Sequence, residues 1–186
     1  ARAAWMAAHL TNTFLLLAAL TWLTVSAWRE HGVGFVRDPR ARRLFAGAAL
    51  VALFVGVSGA VAALGDTLFP SDSLVQGLRE DFSPSSHLFL RLRLWHPVIA
   101  VIGSGYLLML APIEPRRHPG PGGRELALTL GVLVLTQIAV GLANVALLAP
   151  VSMQLIHLLL ADAAWITLVL LALSSRPLDS GASLVP

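Results

Sequence analysis

The chain has 186 residues, 56% of them hydrophobic and only 12% charged, with a mean hydropathy of +0.77. That composition excludes an ordinary water-soluble domain and points to a protein that crosses a bilayer several times. The absence of cysteine excludes disulfides, iron–sulfur clusters and thiolate metal sites. A net charge of +3 would admit nucleic acid, but all 13 basic residues are arginine and nine of them fall in short connectors between apolar runs. They read as topology signals, so the expected partner is the lipid bilayer and not nucleic acid.

A membrane-spanning helix needs about 20 mostly apolar residues. The first stretch that qualifies is 4–28. Its opening, "ARAAWMAAHL", lacks a basic segment followed by a small-residue cleavage site, so a signal peptide is not expected. With no initiator methionine, the chain is expected to begin within something longer. The connector "REHGVGFVRDPRARR" (29–43) carries five arginines. A second span follows over 42–64, with small residues spaced by four at Gly56/Ala60 and Gly59/Ala63, the pattern of closely packed membrane helices. The 65–86 loop holds Asp66, Asp72, Glu80 and Asp81 against one arginine, Arg79. Within it Ser73 and Gln76 have capping-box spacing, which predicts a short helix lying over the bundle.

The third span covers 87–110, and the Pro/Gly-rich connector "APIEPRRHPGPGGR" (111–124) adds three arginines. The fourth and fifth spans, 125–148 and 151–173, are separated by "AP" alone, which predicts a tight hairpin broken at Pro150. The tail contributes Arg176. Placing the arginine-rich connectors and the tail on the cytoplasmic side puts the N-terminus outside and the C-terminus in the cytoplasm of an inner-membrane protein. The expected class is therefore all-α, a multi-pass bundle of five spans. Residues 1–28 form a helix by themselves, 29–41 a cytoplasmic loop, 42–174 a four-helix unit and 175–186 a cytoplasmic tail.

Ionisable groups inside such spans need a partner or a function. His31 and His118 fall in solvated connectors and His87 at a span's mouth, whereas His9, His96 and His157 lie within apolar runs. At 1.5 Å per residue, His157 sits about 10 Å and His96 about 9 Å below the outer surface, and His9 also lies in the outer half. Gly103 follows His96 on its own helix face, with Gly105 close by, while Ala161 and Ala164 share a face with His157. Two helices that set a histidine above small residues leave a slot for a flat group. Arg91 and Arg93, just above His96, are placed to pair with carboxylates on such a ligand. Neutral imidazoles from two sides, apolar walls and cations at one edge are what a bis-histidine haem requires. Spacing alone does not separate haem from a bare metal, a proton relay or two packed histidines. Zinc, however, normally takes three or four protein ligands, and no carboxylate cluster accompanies this pair. Gln137, Gly141 and Asn144 share one face of the fourth span, and Asp162 is expected to hydrogen-bond to Asn144 or Gln137 on the neighbouring helix.

The segments "HLTNTFLLLAALT" (9–21), "SGAVAALGDTLFPS" (58–71), "RLRLWHPVIAV" (91–101) and "QIAVGLANVALLAPVSMQLIHLLLADAAWI" (137–166) together resemble the haem A synthase family over nearly the whole chain. The resemblance implies a membrane oxidoreductase of two four-helix halves that oxidises a methyl group of haem O to the formyl group of haem A for cytochrome oxidases. The second half of such proteins holds a haem b that relays electrons, and the first half binds the substrate haem. Carried over, His96 and His157 match the axial ligands of haem b, and His9 matches a ligand of the substrate haem. Haem O synthase and cytochrome oxidase assembly proteins are the implied partners. The chain departs from the pattern in having five spans where eight are expected, and in lacking the family's Glu-x-x-His-Arg type loop, for which "REH" (29–31) has the wrong spacing. The expectation is a C-terminal portion, with one helix of the first half and a complete haem-binding second half. It would not catalyse the reaction alone, and no catalytic acid or base is identified. The alternatives are a non-catalytic b-type cytochrome subunit that carries electrons, or a haemless membrane scaffold or transporter built on the same bundle.

Overall fold

The computed structural model describes residues 2–28, 38–83, 88–110 and 121–174. Every element among them is an α-helix: α1 Arg2–Trp28, α2 Pro39–Leu68, α3 Leu74–Asp81, α4 Leu88–Leu110, α5 Pro121–Ala146 and α6 Val151–Ser174. All but α3 are long and apolar enough to cross a membrane, and the protein is a multi-pass helical bundle. The connectors holding His31, His87 and His118, and the tail holding Arg176, lie outside the described residues.

Helix ends follow local chemistry. α2 starts earlier than hydropathy indicates, because the Asp38 side chain accepts from the backbone N–H groups of Arg40 (3.0 Å) and Ala41 (3.3 Å), and Pro39 is pre-set for the first helical position. Its 30 residues make a rod of about 45 Å, longer than a hydrocarbon core of about 30 Å, so both polar ends project. The expected short helix is present as α3. At its start the Gln76 N–H donates to Ser73 Oγ at 3.2 Å, the cap that the spacing predicts.

The α5–α6 connection differs from the expectation of two intervening residues. Helix α5 stops at Ala146, and the turn occupies 147–150. Leu148 (φ 60°) and Ala149 (φ 54°) both adopt the left-handed conformation there. A left-handed C-terminal cap usually takes glycine, so composition gave no sign of it. The cap is held by Ala149 N–H donating to the Asn144 carbonyl at 2.7 Å and by Gln154 Nε2 donating to the Ala149 carbonyl at 2.6 Å.

α2 packs most extensively on α4, and α5 on α6; α4 also meets α5 and α2 meets α6, which closes a ring of four. α1 lies against α2 and α6. It is keyed in place by Phe14, which stacks on Trp165 with ring centroids 4.9 Å apart and whose carbonyl accepts from Trp165 Nε1 at 2.7 Å. The core gathers toward the end of the bundle away from α3, around Phe45, Ala48, Leu110, Leu130, Val134, Trp165 and Leu171. Among the described residues, no hydrophobic side chain between Val134 and Trp165 is fully buried. That interval contains Gly141 and His157.

Candidate functional site

His96 is eight residues into α4 and His157 six into α6. Both helices enter from the end that carries α3, so the imidazoles lie about 12 Å and 9 Å along them, at nearly one level. Each ring rests on a glycine of the preceding long helix. A Cβ on Gly59 of α2 would approach His96 Cε1 to 3.0 Å, and a Cβ on Gly141 of α5 would approach His157 Cε1 to 3.0 Å. The two hairpins therefore present the same device twice. A small residue lets a bulky ring turn inward where a side chain would push it out. The two imidazoles are close enough to interact electrostatically, although they are 61 positions apart in the chain.

The surroundings of the two rings differ. His96 Nδ1 lies 2.9 Å from Ser58 Oγ, and the Ser58 hydroxyl in turn donates to the Val55 carbonyl at 2.7 Å. His157 Nδ1 is buried and has no hydrogen-bond partner. Ser58 carries no warning in the sequence, since a lone serine in a membrane helix commonly bonds back to its own backbone; only the arrival of α4 gives it a second bond.

The other expected residues are distributed as follows. Arg93, one turn before His96, pairs with Asp66 at 3.0 Å and reaches the Phe69 carbonyl at 3.5 Å, with side-chain exposures of 16% and 22% for the ion pair. It thereby ties α4 to the end of α2. The Arg91 side chain lies outside the described ones. His9 is exposed on α1 and is not drawn toward the other two. Gly103 is buried, and a Cβ there would approach Val55 Cγ2 to 2.6 Å, so it serves the α2–α4 contact. The apolar cavity of about 480 Å³ that it borders is lined by α2 and α4 residues such as Phe54, Ile102 and Tyr106, and neither His96 nor His157 is among its lining residues. The predicted Asp162 hydrogen bond to Asn144 or Gln137 is also absent. Asp162 Oδ1, Asn144 Oδ1 and Gln137 Oε1 are all buried without a partner. The polar stripe of α5 does turn inward, as Gly141 against His157 requires, but it brings acceptor oxygens that do not pair with one another. Among the described residues, three or more His, Asp or Glu nowhere group as a metal site.

These residues suit a haem better than a bare ion. The donor set is two imidazoles on opposite helices and the ring cradles are glycine, while Ala161 and Ala164, further along α6, pack against the apolar core.

The sequence model of the COX15-CtaA family, described as cytochrome oxidase assembly protein, matches residues 1–169. Two proteins of Thermus thermophilus, one from each of two strains, are each 43% identical over 188 aligned positions. Each is named protoheme IX farnesyltransferase; the alignment takes in 99% of this chain and 30% of the relative. The chain thus spans under a third of the length of the curated relatives it matches. No solved structure matches it. With most of its length matched by that model, and with the membrane bundle to carry it, this chain belongs to the cytochrome oxidase assembly family COX15-CtaA, which serves haem A assembly.

Proposed function

We propose that His96 and His157 would hold the iron of a haem b between the α2/α4 and α5/α6 hairpins, in the electron-relay half of a haem A synthase. The observation that carries this reading is the paired cradle, Gly59 under His96 and Gly141 under His157, with the two imidazoles in electrostatic reach. A haem ligated in this way supplies one-electron transfer. The chain's own residues do the rest. The two histidines hold and orient it, and Arg93 stands at the α3-side edge, where the propionates of haem would meet a cation, with Arg91 a second candidate. His9, facing away from this site, is the proposed ligand for the substrate haem O.

In this proposal the whole protein oxidises the haem O methyl group to the formyl of haem A, and this portion does not complete the reaction by itself. The N-terminus is outside and the C-terminus cytoplasmic. The names of the Thermus proteins support a working partnership with an enzyme that farnesylates protohaem, since that enzyme would supply the substrate. The reading is tested by loading the detergent-purified protein with haem and recording reduced-minus-oxidised spectra. The expected result is a low-spin bis-imidazole signature that is lost on His96→Ala and on His157→Ala. A high-spin spectrum, or one unchanged by both substitutions, overturns it. If the haem binds but the full-length protein never converts haem O under air with reductant, the non-catalytic electron carrier replaces the synthase.

A further inference from the structure

We infer that Ser58 is a positioning residue that fixes the tautomer of His96 and sets the reduction potential of the haem. The inference rests on the proposal that His96 and His157 ligate iron.

The hydroxyl of Ser58 has one proton. At 2.7 Å from the Val55 carbonyl, an oxygen that can only accept, that proton is committed to the helix backbone. Ser58 Oγ then meets His96 Nδ1 at 2.9 Å as an acceptor, so Nδ1 carries the hydrogen. A neutral imidazole protonated at Nδ1 leaves the Nε2 lone pair for a metal. The chain Val55 carbonyl, Ser58 hydroxyl and His96 ring therefore presents the coordinating nitrogen in one protonation state and one orientation. Gly59, the next residue on α2, makes the room in which the ring sits. An acceptor on the far nitrogen also makes a metal-bound imidazole a better electron donor, which favours the ferric state. His157 has no such support, because its Nδ1 is buried without a partner. The two ligands are thus unequal, with the potential tuned through α2 and not through α5.

The test is a redox titration of the haem-loaded protein with Ser58→Ala and Ser58→Thr. Ser58→Ala is expected to shift the ferric–ferrous equilibrium toward ferrous by roughly threefold to tenfold, an upward move of about 30–60 mV at 59 mV per decade for one electron. Ser58→Thr keeps the hydroxyl and is expected to stay at the wild-type potential. If Ser58→Ala does not load haem, Ser58→Cys, whose sulfur is only a weak acceptor, is expected to move the potential the same way. An unchanged potential in Ser58→Ala or Ser58→Cys, or a shift in Ser58→Thr as large as that of Ser58→Ala, overturns the role of Ser58. In that case the wild-type bis-imidazole spectrum still stands. A wild-type protein without that spectrum removes the ligand pair and this inference together.

Discussion

At the residue scale, the site depends on two positions where a side chain is missing. Gly59 and Gly141 each leave a hypothetical Cβ 3.0 Å from a histidine Cε1, tighter than carbon atoms rest against one another. An alanine at either asks the ring to give by a few tenths of an ångström, whereas a valine displaces it. Gly59→Val and Gly141→Val are therefore expected to lower haem occupancy at least tenfold, with the alanine variants in between, as read from the haem absorbance per protein. The histidines themselves were legible in the sequence, because an ionisable group stands out in an apolar run. Their cradles were only partly so. Gly59 and Gly141 both sit in recognisable small or polar stripes, but nothing in a linear pattern distinguishes a glycine that receives a helix from one that receives an imidazole. Gly56 makes the contrast: its open side takes Leu10 and Phe14 of α1.

At the scale of elements, the five long helices follow from length and hydropathy, and α3 from its Ser73–Gln76 spacing. Their ends do not, because ends are decided by caps. The turn after α5 is the instructive case. Leu148 and Ala149 hold left-handed backbone without glycine, a conformation that costs a non-glycine residue about 1 kcal/mol or more. Ala149→Gly relieves that strain while keeping the N–H to Asn144, and is expected to stabilise the protein by about 0.5–1 kcal/mol after the added freedom of glycine in the unfolded chain is set against it. Thermal unfolding in detergent checks the sign. At the same end of the bundle, the Arg93–Asp66 pair at 3.0 Å joins α4 to α2, and Arg93 Nη2 also lies 3.7 Å from where a Cβ on Gly77 of α3 would stand. Asp66→Asn takes away the counter-charge of a mostly buried guanidinium. A loss of about 1 kcal/mol is expected, given that charged hydrogen bonds outweigh exposed ion pairs. Faster amide hydrogen exchange across α3 than in the wild type would register it, and unchanged exchange there would mean that α3 is held by other contacts.

At the scale of the whole molecule, hydropathy says that helices cross but not which ones touch. These helices are apolar nearly all round, so the usual polar-against-apolar contrast that marks a facing side is weak. The docking of α1 rests on an aromatic pair that no periodicity announced, Phe14 with Trp165, 151 positions apart in the chain. Trp165→Phe preserves the stacked ring and removes the 2.7 Å bond from Nε1 to the Phe14 carbonyl. The expected cost is about 1 kcal/mol, seen as roughly fivefold faster amide exchange in the middle of α1 with little change in α5.

The Phe14 anchor also determines what His9 can do. Five residues apart on a helix of 3.6 residues per turn, the two side chains point about 140° away from each other. With Phe14 clamped against Trp165, α1 cannot spin about its own axis without tearing out a stacked ring, so His9 is locked to point away from the bundle, like the bit of a key whose shank is already seated. Whatever meets His9 must come to it from outside this bundle, at a bearing that Trp165 has already chosen.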